Sequence, residues 1–518
     1  MNADGPWSKT GYVTEVPYTR EFFRFQTPLQ ISFAALCNGV GAPDPVSSFD
    51  YLDLGCGEAI TLLILAACHP QARFVGIDMN PAHIETASAI ARAAQLDNLK
   101  FEVARFDEYA ERTTRRFDYI AAHGIYTWVN EEARCGVRKV VAQTLKPGGL
   151  FYLCHYVRPG ADRTKALYDL IQASMEDHDQ LPIVARIRAT IADLRSLQAA
   201  GAPVFKMYSD LDDDLKDLET RDDRYLAHEF GNKHFEPMTF AHVARDLRAH
   251  GLVFAGSTRA DRNRAVNRIG AAALDHLKDL DETALEVRMS YLAEDAFRWD
   301  VFARRDAPRP QEPALRVIGG HLGFGPSDSR RKMPRTETHG QREIIFDTPE
   351  IQTLLTTAYK GLETISALID ADPDGPKASI SRLRDVAATR VFEPQLRPNV
   401  QMIPDSKKTY RHTLLLSTVL FDRDFSTEAI GIFPAPIRGT ALQLCGVQAV
   451  AARLLDGRTP GDALEAAREW VDALPPESTD YFDVPPPADR KTFNLEAVIF
   501  LRRTMPLMLR WGVIVPVE

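Results

Sequence analysis

The chain has 518 residues, of which 45% are hydrophobic and 26% are charged, and its formal net charge is −9. This length exceeds what one hydrophobic core usually organises, so we expect two or three domains. The acidic balance argues against a general nucleic-acid binder, because phosphate neutralisation needs a surplus of Lys and Arg. Since no apolar run approaches the roughly 20 residues that span a bilayer, and no signal-peptide pattern is present, we expect a cytoplasmic protein without membrane insertion.

Short apolar runs alternate with helical patterns between residue 49 and about residue 154. Such alternation is typical of parallel βαβ units in a doubly wound α/β sheet. Asn80-Pro81 predicts the start of one helix, since asparagine is a capping residue and proline fits the first helical position. Asn130 predicts the start of a second helix, which should end at Lys146-Pro147-Gly148-Gly149. The predicted strands are 51–54, 74–77, 101–103, 118–121 and 150–153.

The pattern changes after Pro159-Gly160, where helical spacing continues to about residue 200 and a compact mixed segment follows. The next stretch is rich in Pro, Gly, Ser and charge, and we interpret it as a linker in which 316–318 is a strand of a hairpin. From residue 348 onward the sequence is mainly helical. The predicted domains are therefore 1–160, 161–305, a linker at 306–342, and 343–518.

One motif stands out as a ligand-binding turn, the run Leu52-Asp53-Leu54-Gly55-Cys56-Gly57. A strand ends in an acidic residue and continues into a Gly-x-Gly turn that opens a helix. Glycine lets the backbone turn sharply and lets a ligand approach without an intervening Cβ. A tight turn without any ligand would have the same pattern. A dinucleotide site is disfavoured, because the third glycine of its motif is replaced by Ile60.

Acidic residues also follow the next two predicted strands. Asp78 lies about twenty residues after the glycine turn, where a carboxylate can accept both hydroxyl hydrogens of a ribose. A helix-capping aspartate is the alternative at this position. Asp107 can accept the exocyclic amine of adenine, with Phe106 lining the face of the ring. Acidic residues on successive strands, combined with the glycine turn, predict a nucleotide site more strongly than any one of them.

These residues resemble, in the same order, the cofactor motifs of class I S-adenosylmethionine-dependent methyltransferases. Further runs resemble bacterial members that carry a methyltransferase regulatory domain, a group that includes rickettsial-type protein-lysine methyltransferases. These runs lie at 16–18, 26–28, 117–129, 225–230 and 250–257. The resemblance covers about the first 300 residues. It implies a Rossmann-like methyltransferase domain, a small mixed regulatory domain and a mainly helical C-terminal domain.

The resemblance also implies a role for each cofactor residue. Gly55 and Gly57 approach the methionine part of S-adenosylmethionine, Asp78 holds the ribose, and Asp107 contacts the adenine. Asp53 lies near the amino group of the cofactor. The predicted cofactor-binding residues are Tyr18, Asp53, Gly55, Cys56, Gly57, Asp78, Met79, Phe106, Asp107 and His123.

Methyl transfer from a sulfonium mainly requires that donor and acceptor are aligned and that water is excluded. An amine acceptor must also lose its proton first. We predict His123, Tyr126 and Tyr156 as catalytic residues, since they follow strand ends on the cofactor side. His155 is a further candidate, and a packing role is the alternative for each of the four. Relatives tend to have Ser-Tyr-Asn where this chain has Cys154-His155-Tyr156, which leaves the substrate open.

Two other features have a functional and a structural interpretation. Trp128 is a candidate aromatic wall for a cationic side chain, or a core residue. The middle of the chain is rich in histidine, but His228 and His234 lack the His-Glu-x-x-His spacing of a zinc site. We therefore predict structural histidines and no metal.

The sequence leaves three functions open. The leading hypothesis is a protein-lysine N-methyltransferase whose later domains select a protein substrate. The alternative is a small-molecule O- or N-methyltransferase in which those domains form a lid. A non-catalytic binding module is the third, and the intact set of cofactor motifs argues against it. The expected partners are the methyl acceptor, either a protein or a small molecule, and a second copy of the chain in a homodimer.

Overall fold

The structure, a computed structural model, describes most of the chain. The described residues are 11, 13, 16, 20–208, 210–293, 295–307, 314–327, 336–339, 342–345, 348–359, 363–389, 391–398, 404–428, 430–473 and 490–517.

A mixed β-sheet organises the first 304 residues. Its strands are β1 (Asp50–Leu54), β2 (Arg73–Asp78), β3 (Leu99–Val103), β4 (Phe117–His123), β5 (Leu145–Arg158), β6 (Met238–Thr239), β7 (Leu252–Ser257) and β8 (Phe297–Arg304). Their order is β3-β2-β1-β4-β5-β8-β7, and β6 pairs with the end of β5. The first five strands are parallel, whereas β8 is antiparallel to both β5 and β7. The predicted Rossmann-like α/β fold is confirmed.

Helices cover both faces of the sheet, and its central strands are buried accordingly. The early helices are α1 (Pro28–Cys37), α2 (Ile60–Cys68), α3 (Pro81–Ala93), α4 (Phe106–Arg112) and α5 (Glu131–Thr144). The side chain of Asn80 accepts the N–H of Ala82 at 3.0 Å, and that of Asn130 accepts the N–H of Ala133 at 2.9 Å. Both predicted caps are thus confirmed, and each begins its helix because it satisfies a free backbone donor.

The segment after residue 160 is continuous with this sheet. Its helices are α6 (Asp162–Ser174), α7 (Ile183–Ala199), α8 (Val204–Met207), α9 (Leu211–Thr220), α10 (Asp223–Phe230), α11 (Phe240–Ala249), α12 (Ala265–Asp275) and α13 (Glu282–Leu292). Strand β8 pairs with β5 along seven residues, from Leu150↔Ala303 to Tyr156↔Phe297. Without β8, the edge of β5 would leave its backbone groups unpaired. The boundary expected at residue 160 therefore separates strands that share one sheet.

The remaining segment contains short sheets among helices. Its elements are α14 (Ala314–Ile318), β9 (Gly323–Pro326), β10 (Thr336–His339), β11 (Arg342–Ile345), α15 (Pro349–Tyr359), α16 (Ile365–Asp370), α17 (Pro376–Ala388), β12 (Phe392–Gln395), β13 (Tyr410–His412), α18 (Leu416–Glu428), β14 (Ile430–Ala435), β15 (Thr440–Cys445), α19 (Gly446–Leu454), α20 (Pro460–Asp472), α21 (Arg490–Ile499), α22 (Met505–Arg510) and β16 (Ile514–Pro516). Helices predominate, as predicted.

The strand predicted at 316–318 was wrong, because these residues belong to α14. Leu315 and Ile318 pack into one apolar cluster while Val317 is 68% exposed, a spacing that suits a helix rather than a strand. The hairpin expected in this region is formed instead by β10 and β11.

The C-terminal segment packs on the outer helices of the first domain. One apolar cluster joins Leu29 and Phe33 of α1 to Phe324 of β9, and another joins Leu63 of α2 to Leu420 of α18. Within the part of the chain that the structure describes, no helix is long and apolar enough to cross a membrane.

Candidate active site

A cavity lies at the carboxyl ends of the parallel strands, the position at which open α/β sheets bind ligands. Nine of the ten predicted cofactor residues line it, and the tenth, Tyr18, lies outside the described residues. The nine are Asp53, Gly55, Cys56, Gly57, Asp78, Met79, Phe106, Asp107 and His123. Residues from the ends of four strands, β1 to β4, and their following turns therefore meet in one place.

The glycine turn after β1 forms the floor of this cavity. Gly55 and Gly57 have φ angles of 72° and 55°, in the left-handed region that favours glycine. A Cβ on Gly55 would lie 2.8 Å from Cγ2 of Ile125, so only glycine fits there. No atom lies within 4 Å of the Cβ position of Gly57, which leaves room beside the backbone. This geometry fits the methionine part of S-adenosylmethionine.

Asp78 ties the end of β2 to the glycine turn. Its Oδ2 accepts the N–H of Gly57 at 2.9 Å, and its Oδ1 accepts the N–H of Asn80 at 2.8 Å. Each carboxylate oxygen has a further lone pair available for a ligand hydroxyl. The structural and the ligand-binding interpretations of Asp78 are therefore compatible. The helix cap itself is Asn80.

Asp53 lies buried beside this carboxylate. Burial and the negative charge of Asp78 raise the pKa of Asp53 to about 8. Two adjacent buried carboxylates resist simultaneous ionisation. A cationic group that approached Asp53 would lower this pKa again, which suits the expected contact with the amino group of the cofactor.

His123 closes one side of the cavity at the end of β4. Its ring stacks on Phe23 with centroids 4.0 Å apart, and its Nδ1 lies 3.0 Å from the hydroxyl of Tyr152. Burial lowers the pKa of His123 to about 3. The imidazole is therefore neutral at physiological pH, and it can line the site or accept a hydrogen bond.

The structure does not place the two tyrosines predicted as catalytic at the cavity. Tyr126 is fully buried in the core beneath β4, where its hydroxyl accepts a hydrogen bond from Nη1 of Arg138 at 2.9 Å. Tyr156 packs edge-to-face against Phe297 and Phe235, with centroids 4.7 and 5.0 Å apart. Neither is among the residues that line the cavity, so the geometry does not support their catalytic role.

The candidate His155 likewise does not line the cavity. It is fully buried, and its Nε2 donates to Oδ2 of Asp300 at 3.2 Å. This contact exists because β8 makes β5 an interior strand, which covers His155 from the side opposite β4.

Four residues that the sequence analysis did not assign to the site come from α10 and the loop after it. His228, Glu229, Asn232 and His234 line the cavity together with the cofactor residues. The motif at 225–230 signalled a regulatory domain, but no local pattern indicates which cavity its helix faces. Burial raises the pKa of Glu229 to about 8.

The N-terminal segment holds α10 and its loop in place. Nε2 of His228 donates to the carbonyl oxygen of Val16 at 2.8 Å, and the N–H of Val13 donates to Oδ1 of Asn232 at 2.9 Å. Further along, Arg20 forms an ion pair with Glu58 at 2.5 Å. Glu58 therefore anchors this segment beside the glycine turn.

Trp128 lines the cavity and also packs against Phe235 with ring centroids 4.3 Å apart, a position compatible with both interpretations of this residue. A polar surface groove meets the cavity here, and the two share Val129, Asn130 and His234. The other residues of the groove are Glu131, Arg134, Lys165, Tyr168, Asp169, Gln172, Lys233, Phe235 and Glu236. Among the described residues, no group of three or more His, Cys, Asp or Glu side chains is arranged to hold a metal ion.

Comparison with known families divides the first 304 residues in two. A methyltransferase domain model matches residues 46–212, and a predicted methyltransferase regulatory domain model matches residues 222–304. A protein of Synechocystis sp. is 31% identical over 315 residues, which are 60% of this chain and 62% of the relative. A protein of Rickettsia prowazekii is 24% identical over 312 residues, 59% of this chain and 55% of the relative. The matches thus span less than two thirds of these relatives' own length.

A solved structure shares the fold over nearly the whole chain. PKMT2 from Rickettsia typhi, in complex with AdoHcy, superposes with a TM-score of 0.69 and covers 96% of this chain and 100% of its own. The two sequences are 16% identical, so the similarity shows the fold alone.

Proposed function

We propose that this chain, a class I S-adenosylmethionine-dependent methyltransferase with a regulatory domain, transfers the cofactor's methyl group to a lysine side chain of a protein. The methyl group is supplied by S-adenosylmethionine as an electrophile on a sulfonium. The residues of the chain bind the cofactor, orient the acceptor amine and exclude water.

The acidity of the cavity carries this proposal. Among the described residues that line it, six carry carboxyl groups and one, Arg105, carries a guanidinium. The carboxyl groups belong to Glu21, Asp53, Glu58, Asp78, Asp107 and Glu229. A lysine approaches as a cation, and an acidic, partly buried cavity stabilises a cation over a neutral alcohol or an anion. Trp128 adds an aromatic face, which also favours an ammonium group.

The surface groove supports a polypeptide acceptor. It leads away from the cavity at Val129, Asn130 and His234, and it contains side chains of both charges. An extended peptide offers charged and polar partners along its length, whereas a small metabolite would use only the cavity. The motif resemblance to rickettsial-type protein-lysine methyltransferases agrees with this choice.

Label transfer tests the proposal directly. The full chain is incubated with methyl-labelled S-adenosylmethionine and a bacterial lysate, and the protein and small-molecule fractions are separated. We expect label in protein, recovered as methyl-lysine after acid hydrolysis. The Asp78→Ala variant, in which cofactor binding is weakened, should incorporate much less label into protein. Label confined to the small-molecule fraction would contradict the lysine acceptor and favour the small-molecule alternative, with the later domains as a lid.

The cytoplasmic location and the homodimer stay predictions. Sedimentation of the purified chain would measure its oligomeric state.

A further inference from the structure

We propose that Glu229, carried by α10 of the regulatory domain, binds the ammonium group of the acceptor and takes its proton before methyl transfer. This inference rests on the lysine acceptor proposed above. It assigns the regulatory domain a direct part in the chemistry of the site.

The position of Glu229 is set by its own helix and by the N-terminal segment. Leu226 and Phe230 of α10 are buried in an apolar cluster on one side of the helix, while Glu229 lines the cavity. His228 donates a hydrogen bond to the carbonyl oxygen of Val16 at 2.8 Å. This bond fixes the position of Glu229, the next residue in the chain. Glu229 therefore forms a wall of the same cavity whose floor is Gly55 and the residues beside it.

Three of the other five carboxyl groups of the cavity have partners within the protein. Glu58 is paired with Arg20 at 2.5 Å, Asp107 with Arg105 at 3.2 Å, and Asp78 accepts two backbone N–H groups. Among the described residues, the carboxylate of Glu229 forms no hydrogen bond and no ion pair.

Arg221 is the cationic residue that acts on Glu229 from within the protein, and it already has another carboxylate partner. Arg221 lowers the pKa of Glu229, but its guanidinium is paired with Asp217 at 2.8 Å. A partly buried carboxylate without a partner is unfavourable, so the geometry points to a cation that arrives from outside.

The proton affinity of this carboxyl group suits the transfer. Burial raises the pKa of Glu229 to about 8, so the group is mostly protonated in the free protein at pH 7 and ionises as the ammonium approaches. A free lysine has a pKa of about 10.4, which falls when its ammonium is desolvated. The difference in pKa between the lysine ammonium and the carboxyl group of Glu229 is therefore smaller than it would be for an exposed glutamate.

Proton transfer to Glu229 precedes methyl transfer. One N–H proton of the ammonium moves to a carboxylate oxygen of Glu229, which leaves a lone pair on nitrogen. The nitrogen forms a bond to the methyl carbon, the carbon–sulfur bond breaks, and its electron pair stays on sulfur. The product is a methylated ammonium, and Glu229 returns its proton to solvent.

Binding of a simple amine tests Glu229 without turnover. n-Butylammonium, which reproduces the end of a lysine side chain, is titrated calorimetrically into the full chain saturated with AdoHcy, with n-butanol as the neutral probe. We expect the amine to bind more tightly than the alcohol. Glu229→Gln, which keeps the size of the side chain, should lose at least tenfold in amine affinity and nothing in AdoHcy affinity. Glu282→Gln removes an exposed carboxylate of α13, and it should behave as wild type.

Equal amine affinity in Glu229→Gln and wild type would overturn the inference. A Glu229→Asp variant keeps the carboxylate, so it should bind the amine better than Glu229→Gln does. This comparison separates loss of charge from a general disturbance of α10.

Turnover separates this inference from the proposed function. On a lysine-containing protein acceptor, Glu229→Gln should lower kcat by at least tenfold and raise KM. If wild type methylates lysine and Glu229→Gln does so with unchanged kcat and KM, the role of Glu229 is wrong and the lysine acceptor stands. If wild type labels no lysine, the proposed function is wrong, and the amine titration still decides whether Glu229 binds a cation.

Discussion

The backbone N–H of Gly57 donates to Oδ2 of Asp78 at 2.9 Å, a bond that joins the glycine turn after β1 to the end of β2. Because the other oxygen of Asp78 accepts the N–H of Asn80 at 2.8 Å, one carboxylate fixes both turns that border the cavity. The same carboxylate lines the cavity. Cofactor affinity and local stability are therefore coupled at this residue.

Replacement of Asp78 by alanine should weaken AdoHcy binding by about 1.5–3 kcal/mol, the range for hydrogen bonds to a charged group, or roughly 10- to 150-fold. It should also lower the free energy of unfolding by about 1–3 kcal/mol, since backbone donors lose their acceptor. Asp78→Asn should retain part of the AdoHcy affinity and part of the stability that the alanine variant loses. Calorimetry and urea unfolding measure the two effects. Unchanged AdoHcy affinity in the alanine variant would leave Asp78 with a structural role only.

The raised pKa of Asp53 predicts that AdoHcy binding releases a proton. In the free protein the pKa of Asp53 is about 8, so the group is mostly protonated at pH 7. The amino group of the cofactor favours the carboxylate and lowers this pKa, and AdoHcy affinity should therefore rise as the pH increases toward about 8. Calorimetry in two buffers of different ionisation enthalpy counts the released protons. The Asp53→Asn variant should release fewer protons than wild type. Equal proton release by the two proteins would contradict the contact between Asp53 and the amino group of the cofactor.

Tyr126 should matter for stability and not for turnover. Its hydroxyl accepts from Arg138 at 2.9 Å inside the core, and a hydrogen bond to a charged group contributes about 1.5–3 kcal/mol. Tyr126→Phe should lower the free energy of unfolding by up to this amount and leave kcat within about twofold. Urea unfolding and the lysine methylation assay measure these quantities. A large drop in kcat at unchanged stability would restore the catalytic role expected from the sequence.

The parts of the fold and site that local patterns determine were predicted correctly. The cap at Asn80 and the turn at Gly55 depend on neighbours within a few residues, and both are found where the sequence indicates them. The pairing of β5 with β8 joins residues that are far apart in the chain, for example His155 and Arg298. A local sequence pattern cannot indicate a pairing between such distant residues. For this reason His155 was expected near the cofactor, whereas it is found beside Asp300.

The contribution of α10 to the cavity has the same long-range origin. Glu229 lines the same cavity as the glycine turn. After α10 the chain returns to the first sheet through β6, β7 and β8, and Val13 and Val16 hold the loop and helix. The resemblance identified a regulatory domain in this region, and only the fold places its side chains in the same cavity as Asp53 and Gly55.

The C-terminal segment contacts the N-terminal segment beside the site, through a buried carboxylate. Glu393 of β12 is 6% exposed and forms ion pairs with Arg24, which follows Phe23 in the N-terminal segment, and with Arg438 of the turn between β14 and β15. The guanidinium of Arg438 in turn lies 4.2 Å from the ring centroid of Trp511. Because Phe23 stacks on His123 in the cavity, Glu393 links the C-terminal segment to the cofactor site.

Removal of this carboxylate charge should therefore affect both stability and cofactor binding. Breaking a buried ion pair from one side costs about 3–5 kcal/mol, so Glu393→Gln should unfold at a distinctly lower urea concentration. AdoHcy affinity should fall several-fold, since Arg24 no longer fixes the position of Phe23. Glu363→Gln removes an exposed carboxylate of the same segment and should change neither quantity. Lower stability with unchanged AdoHcy affinity would show that Glu393 only holds the C-terminal segment in place, and that the stack of Phe23 on His123 does not depend on it.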